Sequence, residues 1–304
     1  MNKSTNTRIT FLGIGLMGLP MASRLLQAGF ALTAWNRDTS KTQPLAALGA
    51  QCEVELSTAV ANADVIISML TDGNVVLEVQ QAASPALHSG QIWIDMSSTR
   101  QDQAQQMAAR LQPLGVAFLD APVSGGVLGA QAGSLAIMVG GEAAAFAQVT
   151  ALLQVLGRPT LVGAAGCGQL AKLCNQLIVG GTLNLVAEAL LLAQAGGADA
   201  SAVRQAIRGG FAESRILEVH GERMLQRKFL PGGQIKSQAK DMENVLAAAQ
   251  AGGVHLPLTE LVTHAFQAML PQWATADQSA ALLALEARNP GVRVGTEPDQ
   301  LPML

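Results

Sequence analysis

Lys172 stands in a stretch that is otherwise small, polar-neutral or apolar: Gly166-Cys167-Gly168-Gln169-Leu170-Ala171-Lys172-Leu173-Cys174-Asn175. Lysines are rarely taken into such surroundings. Asn175 and Gln176 follow three and four residues later, which on a helix puts all three side chains on one face. An ammonium and two carboxamides beside a carbonyl compound make an acid/base site. In a reduction, Lys172 would give a proton to the carbonyl oxygen as hydride reaches the carbon. The competing reading is a lysine snorkelling from an apolar helix at a domain boundary. Upstream, Asp120-Ala121-Pro122-Val123-Ser124-Gly125-Gly126 leaves the carboxyl end of an apolar run. Ser124 offers a hydroxyl there, and Gly125 and Gly126 offer close-lying N–H groups that can hold a carboxylate; a plain glycine turn is the alternative. Lys240-Asp241 is a third candidate, read either as a lysine closing over the reaction site with an orienting aspartate or as a surface ion pair.

A hydride needs a donor, and the sequence has a place for one. Gly13-Ile14-Gly15-Leu16-Met17-Gly18 matches GxGxxG, between a short apolar run and a helical pattern. In that context the first glycine makes the turn, the second admits a pyrophosphate, and the third lets helix and strand pack. The helix N-terminus then faces the phosphates. The end of the next apolar run should choose the cofactor. A carboxylate there would take the ribose 2′-OH of NAD. Trp35-Asn36-Arg37-Asp38 instead has Asn36 in that place and Arg37 ready to pair with a 2′-phosphate, which favours NADP(H) over NAD(H). Asp38 leaves NAD(H) open, because it could neutralise Arg37 or bind a ribose itself.

The elements that must position these residues follow from periodicity. Apolar runs at Arg8–Leu12, Ala31–Trp35, Val65–Leu70, Ile92–Asp95, Val116–Asp120 and Leu135–Val139 alternate with helical patterns at Gly18–Ala28, Gln101–Leu114 and Ala143–Leu156. That alternation predicts a doubly wound, mostly parallel α/β sheet over residues 1–165. From Gly168 to Gly196 one helical pattern is apolar on nearly every face. It would span roughly 40 Å and should be buried all round, by other helices or by a second subunit. Further helical patterns at 201–208, 214–225, 237–251 and 258–269 make residues 166–290 an all-α domain for substrate and oligomer contacts. The Pro-, Gly- and charge-rich tail, 291–304, reads as loosely ordered.

Composition narrows the function classes. Apolar residues make up 49% of the 304, charged residues only 13%, and the net charge is −3, so a large core can form while no basic patch serves nucleic acid or a membrane surface. The run from Leu173 to Ala187 is nearly uncharged but carries Asn175, Gln176 and Asn184, which favours a buried soluble helix over a membrane span. The leader Met1 to Thr7 lacks the apolar core of a signal peptide. Cys52, Cys167 and Cys174 have no CxxC spacing, and His88, His220, His255 and His264 have no ligand spacing. A cytoplasmic protein without disulfides or structural metal is the expectation.

In family order these segments resemble the 3-hydroxyisobutyrate dehydrogenases of the β-hydroxyacid dehydrogenase group. The matching pieces are Gly13 to Gly18 with Pro20-Met21-Ala22, Asp95-Met96-Ser97-Ser98-Thr99, Asp120 to Gly126 with Gly129 and Gly133, Lys172 with Asn175, and Lys240-Asp241. The resemblance implies a dinucleotide-binding Rossmann domain followed by a helical domain of the 6-phosphogluconate dehydrogenase kind. It implies Lys172 as catalytic residue, with Ser124, Gly125, Gly126 and Asn175 holding substrate. It also implies that Leu70, Thr71, Ser98 and Lys240 contact cofactor; a small-molecule substrate and a homodimer or homotetramer are the expected partners. Gly233 stands where the family usually has an aromatic after Pro231-Gly232, which weakens the expectation of cofactor contacts in that loop. Ala171 to Gln176, Gly209 to Arg215 and His220 to Met224 look like the branch that reduces tartronate semialdehyde (2-hydroxy-3-oxopropionate) to glycerate; 3-hydroxyisobutyrate and other 3-hydroxyacids are the nearby alternatives. An imine reductase and a non-catalytic cofactor-binding reader share the fold, and Lys172 argues against both.

Overall fold

A computed structural model describes residues 7–302, so most of the polar leader lies outside the described residues. The chain divides into two compact units, Met1–Lys172 and Leu173–Leu304. In the first unit the strands are β1 (Arg8–Leu12), β2 (Ala31–Trp35), β3 (Gln51–Glu53), β4 (Val65–Ser68), β5 (Ile92–Asp95), β6 (Ala117–Asp120), β7 (Val123–Ser124), β8 (Leu135–Gly141) and β9 (Gly157–Gly163). The helices between them are α1 (Gly18–Gln27), α2 (Gln43–Ala46), α3 (Leu56–Ala61), α4 (Gly73–Ala83), α5 (Gln101–Leu111), α6 (Gly126–Ala132) and α7 (Ala143–Leu156).

The strands form one sheet in the order β3-β2-β1-β4-β5-β6, all parallel. β6 and β7 then pair antiparallel with successive stretches of β8, and β9 runs parallel along the other edge of β8. Alternation along the strands sends side chains to both faces. Ile9, Phe11, Ile67 and Ile94 pack with Met21 and Leu25 of α1 and Leu152 and Leu153 of α7. On the opposite face Leu12, Ile66 and Trp93 pack with Val76 of α4 and Met107 and Leu111 of α5. A sheet apolar on both faces needs such cover, which is the doubly wound architecture expected from the sequence. The order reverses between β1 and β4, and in open α/β sheets ligands bind beyond the carboxyl ends at such a point.

α8 (Cys167–Ala195) begins in the first unit and continues into the second. The second unit adds α9 (Ala200–Ile207), α10 (Arg215–Leu225), α11 (Ile235–Ala251), α12 (Pro257–Trp273) and α13 (Ala281–Arg288). Its core joins Leu183, Leu190, Met224, Met242, Phe266 and Leu282. Within the single chain the other helices cover α8 on one side only, and the part of the expectation that calls on a second subunit is left for the exposed side. Ile178, Leu185 and Leu192, seven residues apart, are 64%, 57% and 74% exposed in the single chain. The helix is long and apolar enough to cross a membrane by length and composition, but Leu183, Ala187 and Leu190 belong to the core of a helical unit.

The tail also departs from its reading as loose chain. Arg227 is 1% exposed, with φ of 55°. Its guanidinium reaches Glu286 at 2.6 Å and Asp299 at 2.7 Å, and donates to the Val294 carbonyl at 2.9 Å. Gln300 exchanges two backbone hydrogen bonds with Arg227 and Phe229, each 2.9 Å. A buried guanidinium must be satisfied, and the tail supplies two of its partners.

Candidate active site

The glycine turn between β1 and α1 is built by close approach. Gly13, with φ of +100°, lies so near β4 that a Cβ there would meet the Met69 carbonyl oxygen at 2.3 Å, and one on Gly18 would meet the Gly13 oxygen at 1.9 Å. A Cβ on Gly15 would meet nothing within 4 Å, and the residue is exposed. The backbone there is open to a group as large as a pyrophosphate, so the residues present fit a dinucleotide. Of the remaining turn residues, Ile14 is buried, Met17 half-buried and Leu16 85% exposed.

At the end of β2, Asn36 spends its carboxamide on the turn. Its Oδ1 accepts the Ile14 N–H at 2.9 Å and its Nδ2 donates to the Asp38 carbonyl at 2.9 Å. Asp38 is engaged by Ser40, whose hydroxyl and N–H donate to its Oδ1 at 2.6 and 3.1 Å. Those bonds hold its pKa below the ordinary carboxylate value. Arg37 is exposed beside them. Asn36 is thus a brace for the phosphate turn, a role that its place in the sequence did not reveal.

Beyond β4 and β5, Leu70 is half-buried while Thr71 and Ser98 are exposed. Two strands here share a pattern, an apolar run closing on an aspartate: Ile92-Trp93-Ile94-Asp95 and Ala117-Phe118-Leu119-Asp120, with Asp95 opposite Asp120. Both side chains are fully shielded from solvent. Burial pushes the Asp95 carboxyl up to about 7, helped by the charge of Asp120 and resisted by hydrogen bonds from Ser97 and Ser68. Burial also raises Asp120, against hydrogen bonds from the backbone N–H groups of Gly166 and Gln169 at 2.7 and 2.8 Å. That carboxylate caps the start of α8, where a negative charge is favoured. Gln169 completes the fastening: its Nε2 donates to the Ser97 carbonyl at 2.8 Å and its Oε1 accepts the Thr99 N–H at 3.0 Å. Lys172, half-buried, lies three residues further along the same helix.

The loop after β6 holds Gly125 and Gly126 at φ of +137° and +62°, backbone that only glycine adopts without strain. Both are exposed, next to half-buried Ser124. In the second unit, Asn175 donates to Gln176 Oε1 at 2.9 Å. Gln176 Nε2 donates to Asp241 Oδ2 at 2.7 Å and to Gln238 Oε1 at 3.3 Å. Asp241 in turn lies 3.3 Å from Lys240 Nζ. Gln176, expected to hold substrate, has its amide engaged in tying α8 to α11 and orienting Asp241. Sequence reasoning quoted Asp120, Ser97 and Gln169 without giving them work. The repeated apolar-apolar-apolar-Asp ending was the available signal.

These are the parts of a dinucleotide-dependent oxidoreductase. The family profile for the NAD binding domain of 6-phosphogluconate dehydrogenase matches residues 8–171, and that for the NAD-binding domain of NADP-dependent 3-hydroxyisobutyrate dehydrogenase matches residues 166–285. The chain is 42% identical over 285 residues to 2-hydroxy-3-oxopropionate reductase of Escherichia coli, covering 92% of this chain and 97% of that one. It is 31% identical to the probable 3-hydroxyisobutyrate dehydrogenase-like 1, mitochondrial, of Arabidopsis thaliana, covering 94% and 87%. A solved Mycobacterium tuberculosis 3-hydroxyisobutyrate dehydrogenase with L-serine superposes with a TM-score of 0.85 at 31% identity, covering 92% and 99%. The chain belongs to the 3-hydroxyisobutyrate dehydrogenase family and is an NAD(P)-dependent oxidoreductase of the 3-hydroxyacid type.

Proposed function

We propose that the protein reduces a small 3-oxo acid to the hydroxy acid, with 2-hydroxy-3-oxopropionate going to glycerate, NADPH as reductant and Lys172 as general acid. The observation that carries the reading is the fastening of α8 by Asp120 and Gln169 to the carboxyl ends of β5 and β6. Lys172 follows one turn later on α8, and the glycine turn follows the carboxyl end of β1 in the same sheet. When bound, the reduced nicotinamide supplies hydride to the carbonyl carbon. Lys172 Nζ gives its proton to the carbonyl oxygen, becomes an amine, and is reprotonated from solvent. The Ser124 hydroxyl and the N–H groups of Gly125 and Gly126 hold the carboxylate. Asn175 is assigned to the substrate and Lys240, 3.3 Å from Asp241, to the cofactor, as the family resemblance implies.

The substrate assignment is supported by the Escherichia coli relative and by the polar groups at Ser124 and Asn175. The runner-up, 3-hydroxyisobutyrate, draws on the relatives of that name. NADPH is favoured because Asn36 and Asp38 are both engaged locally, which leaves exposed Arg37 for a 2′-phosphate. Unpaired Cys52, Cys167 and Cys174 agree with a reducing, cytoplasmic setting. The exposed stripe of α8 supports a homo-oligomer of two or four chains. The test is NADPH oxidation by the purified protein with tartronate semialdehyde and with methylmalonate semialdehyde. Faster turnover per KM on the first is expected; no turnover on any 3-oxo acid despite nucleotide binding would overturn the proposal.

A further inference from the structure

We propose that Ser97 and Gln169, seated on Asp95, form a positioning relay that fixes the cofactor loop after β4 relative to the helix carrying Lys172. The bonds run in one direction. Trp93 Nε1 donates to Ser68 Oγ at 3.0 Å, and Ser68 Oγ donates to Asp95 Oδ1 at 2.8 Å. Ser97 Oγ donates to the same Oδ1 at 2.7 Å, which leaves its lone pairs for the Leu70 N–H at 2.9 Å. Asp95 therefore fixes the rotamer of Ser97, and Ser97 holds the loop that carries Leu70 and Thr71. The Ser97 carbonyl accepts Gln169 Nε2, and the Thr99 N–H donates back to Gln169 Oε1. One buried side chain of α8 thus clamps both sides of Ser98. Ser97, Thr99 and Gln169 are 0%, 6% and 1% exposed, so none of these bonds is shared with water. The two ends of the relay differ in what they hold: Ser97 holds the loop beside the dinucleotide turn, and Gln169 holds the first turn of the helix three residues before Lys172.

The relay rests on the proposed role of Lys172, and its test separates the two ideas. Ser97→Ala leaves the Leu70 N–H without its acceptor and is expected to weaken NADPH binding, read by calorimetry, by about tenfold. Ser97→Thr, which keeps the hydroxyl, is expected to restore it. Gln169→Leu frees the start of α8 and is expected to lower kcat roughly ten- to a hundredfold, the scale of an ångström of misplacement, while nucleotide Kd rises by less than the tenfold of Ser97→Ala, because Ser98 loses its clamp but Leu70 keeps its bond to Ser97. If Gln169→Leu does not fold, Gln169→Glu is read in its place. It keeps the acceptor for Thr99 and loses the donor to Ser97, and a kcat drop of at least about threefold is expected. Gln169→Leu added to Lys172→Ala should lower turnover no further, because its effect passes through Lys172. A merely structural role predicts parallel losses of Kd and kcat in both variants. That result, a wild-type kcat in the Gln169 variant, or a further loss in the double variant would overturn the relay. If Lys172→Ala itself keeps wild-type turnover, the general-acid reading fails, and the Ser97 effect on nucleotide Kd still decides the cofactor half of the relay.

Discussion

Asp95 in the sheet unit and Asp277 in the helical unit are both fully shielded from solvent, yet their environments push them opposite ways. For each, burial is the largest influence and favours the neutral acid. At Asp95 it wins, because the partners are two serine hydroxyls and one N–H, Oδ2 has none among the described residues, and Asp120 lies opposite. At Asp277 it loses. His220 and Arg223 lie 3.3 and 3.2 Å from Oδ1, Ser279 donates twice to that oxygen, and the N–H groups of Gly232 and Gly233 donate to Oδ2 at 2.9 and 3.1 Å. That set holds Asp277 well below the usual carboxylate range. A buried carboxylate wired to an arginine, an imidazole and backbone amides is a fold-stabilising rivet. One wired to hydroxyls at the end of a strand serves to orient its neighbours.

The contrast breaks most readily at Asp277. Asp277→Asn removes a buried charge from beside His220 and Arg223 and is expected to cost about 3–5 kcal/mol in urea unfolding. Asp95→Asn keeps an acceptor for Ser97 and Ser68 and places an amide where Oδ2 has no partner. It is expected to cost less than about 1 kcal/mol and to leave NADPH affinity near wild type. Equal losses from the two changes would refute the distinction.

The pH dependence sharpens it. Asp277, depressed below 3.8, contributes stability above about pH 4 that is lost as the pH falls below that value. Asp95, raised from 3.8 to about 7, contributes stability below about pH 4 that is lost as the pH climbs towards and through 7. Unfolding measured across pH 3–8 should therefore lose its acid limb in Asp277→Asn and flatten between 4 and 7 in Asp95→Asn. The smallest effect belongs to an exposed charge. Arg37→Ala is expected to leave stability within about 0.5 kcal/mol of wild type and to weaken NADPH binding severalfold more than NADH binding. Equal changes for the two nucleotides would contradict the cofactor assignment.

Much of this was readable because it is local. The glycine turn, the apolar strands and the lysine in an apolar helix each declare themselves within a few residues. The rest depends on partners far along the chain. β9 contains Gly157, Pro159 and Gly163 and has no apolar run; its register comes from β8, and as an edge strand it tolerates the proline. The tail looked unstructured because its composition is polar, while Arg227 reaches it across 72 residues. Gln169 looked like an ordinary helix residue because its partners, Ser97 and Thr99, precede it by about 70. Asn36 was placed correctly at the end of β2, but its bond to Ile14 could not be read from residue type.

The central claim is that Lys172 delivers the proton. Its most direct test is the turnover of Lys172→Ala at saturating NADPH and 3-oxo acid, alongside nucleotide Kd. The account predicts a loss of roughly two to four decades in kcat, the scale of general acid catalysis, with Kd unchanged; a variant that turns over at the wild-type rate would contradict it.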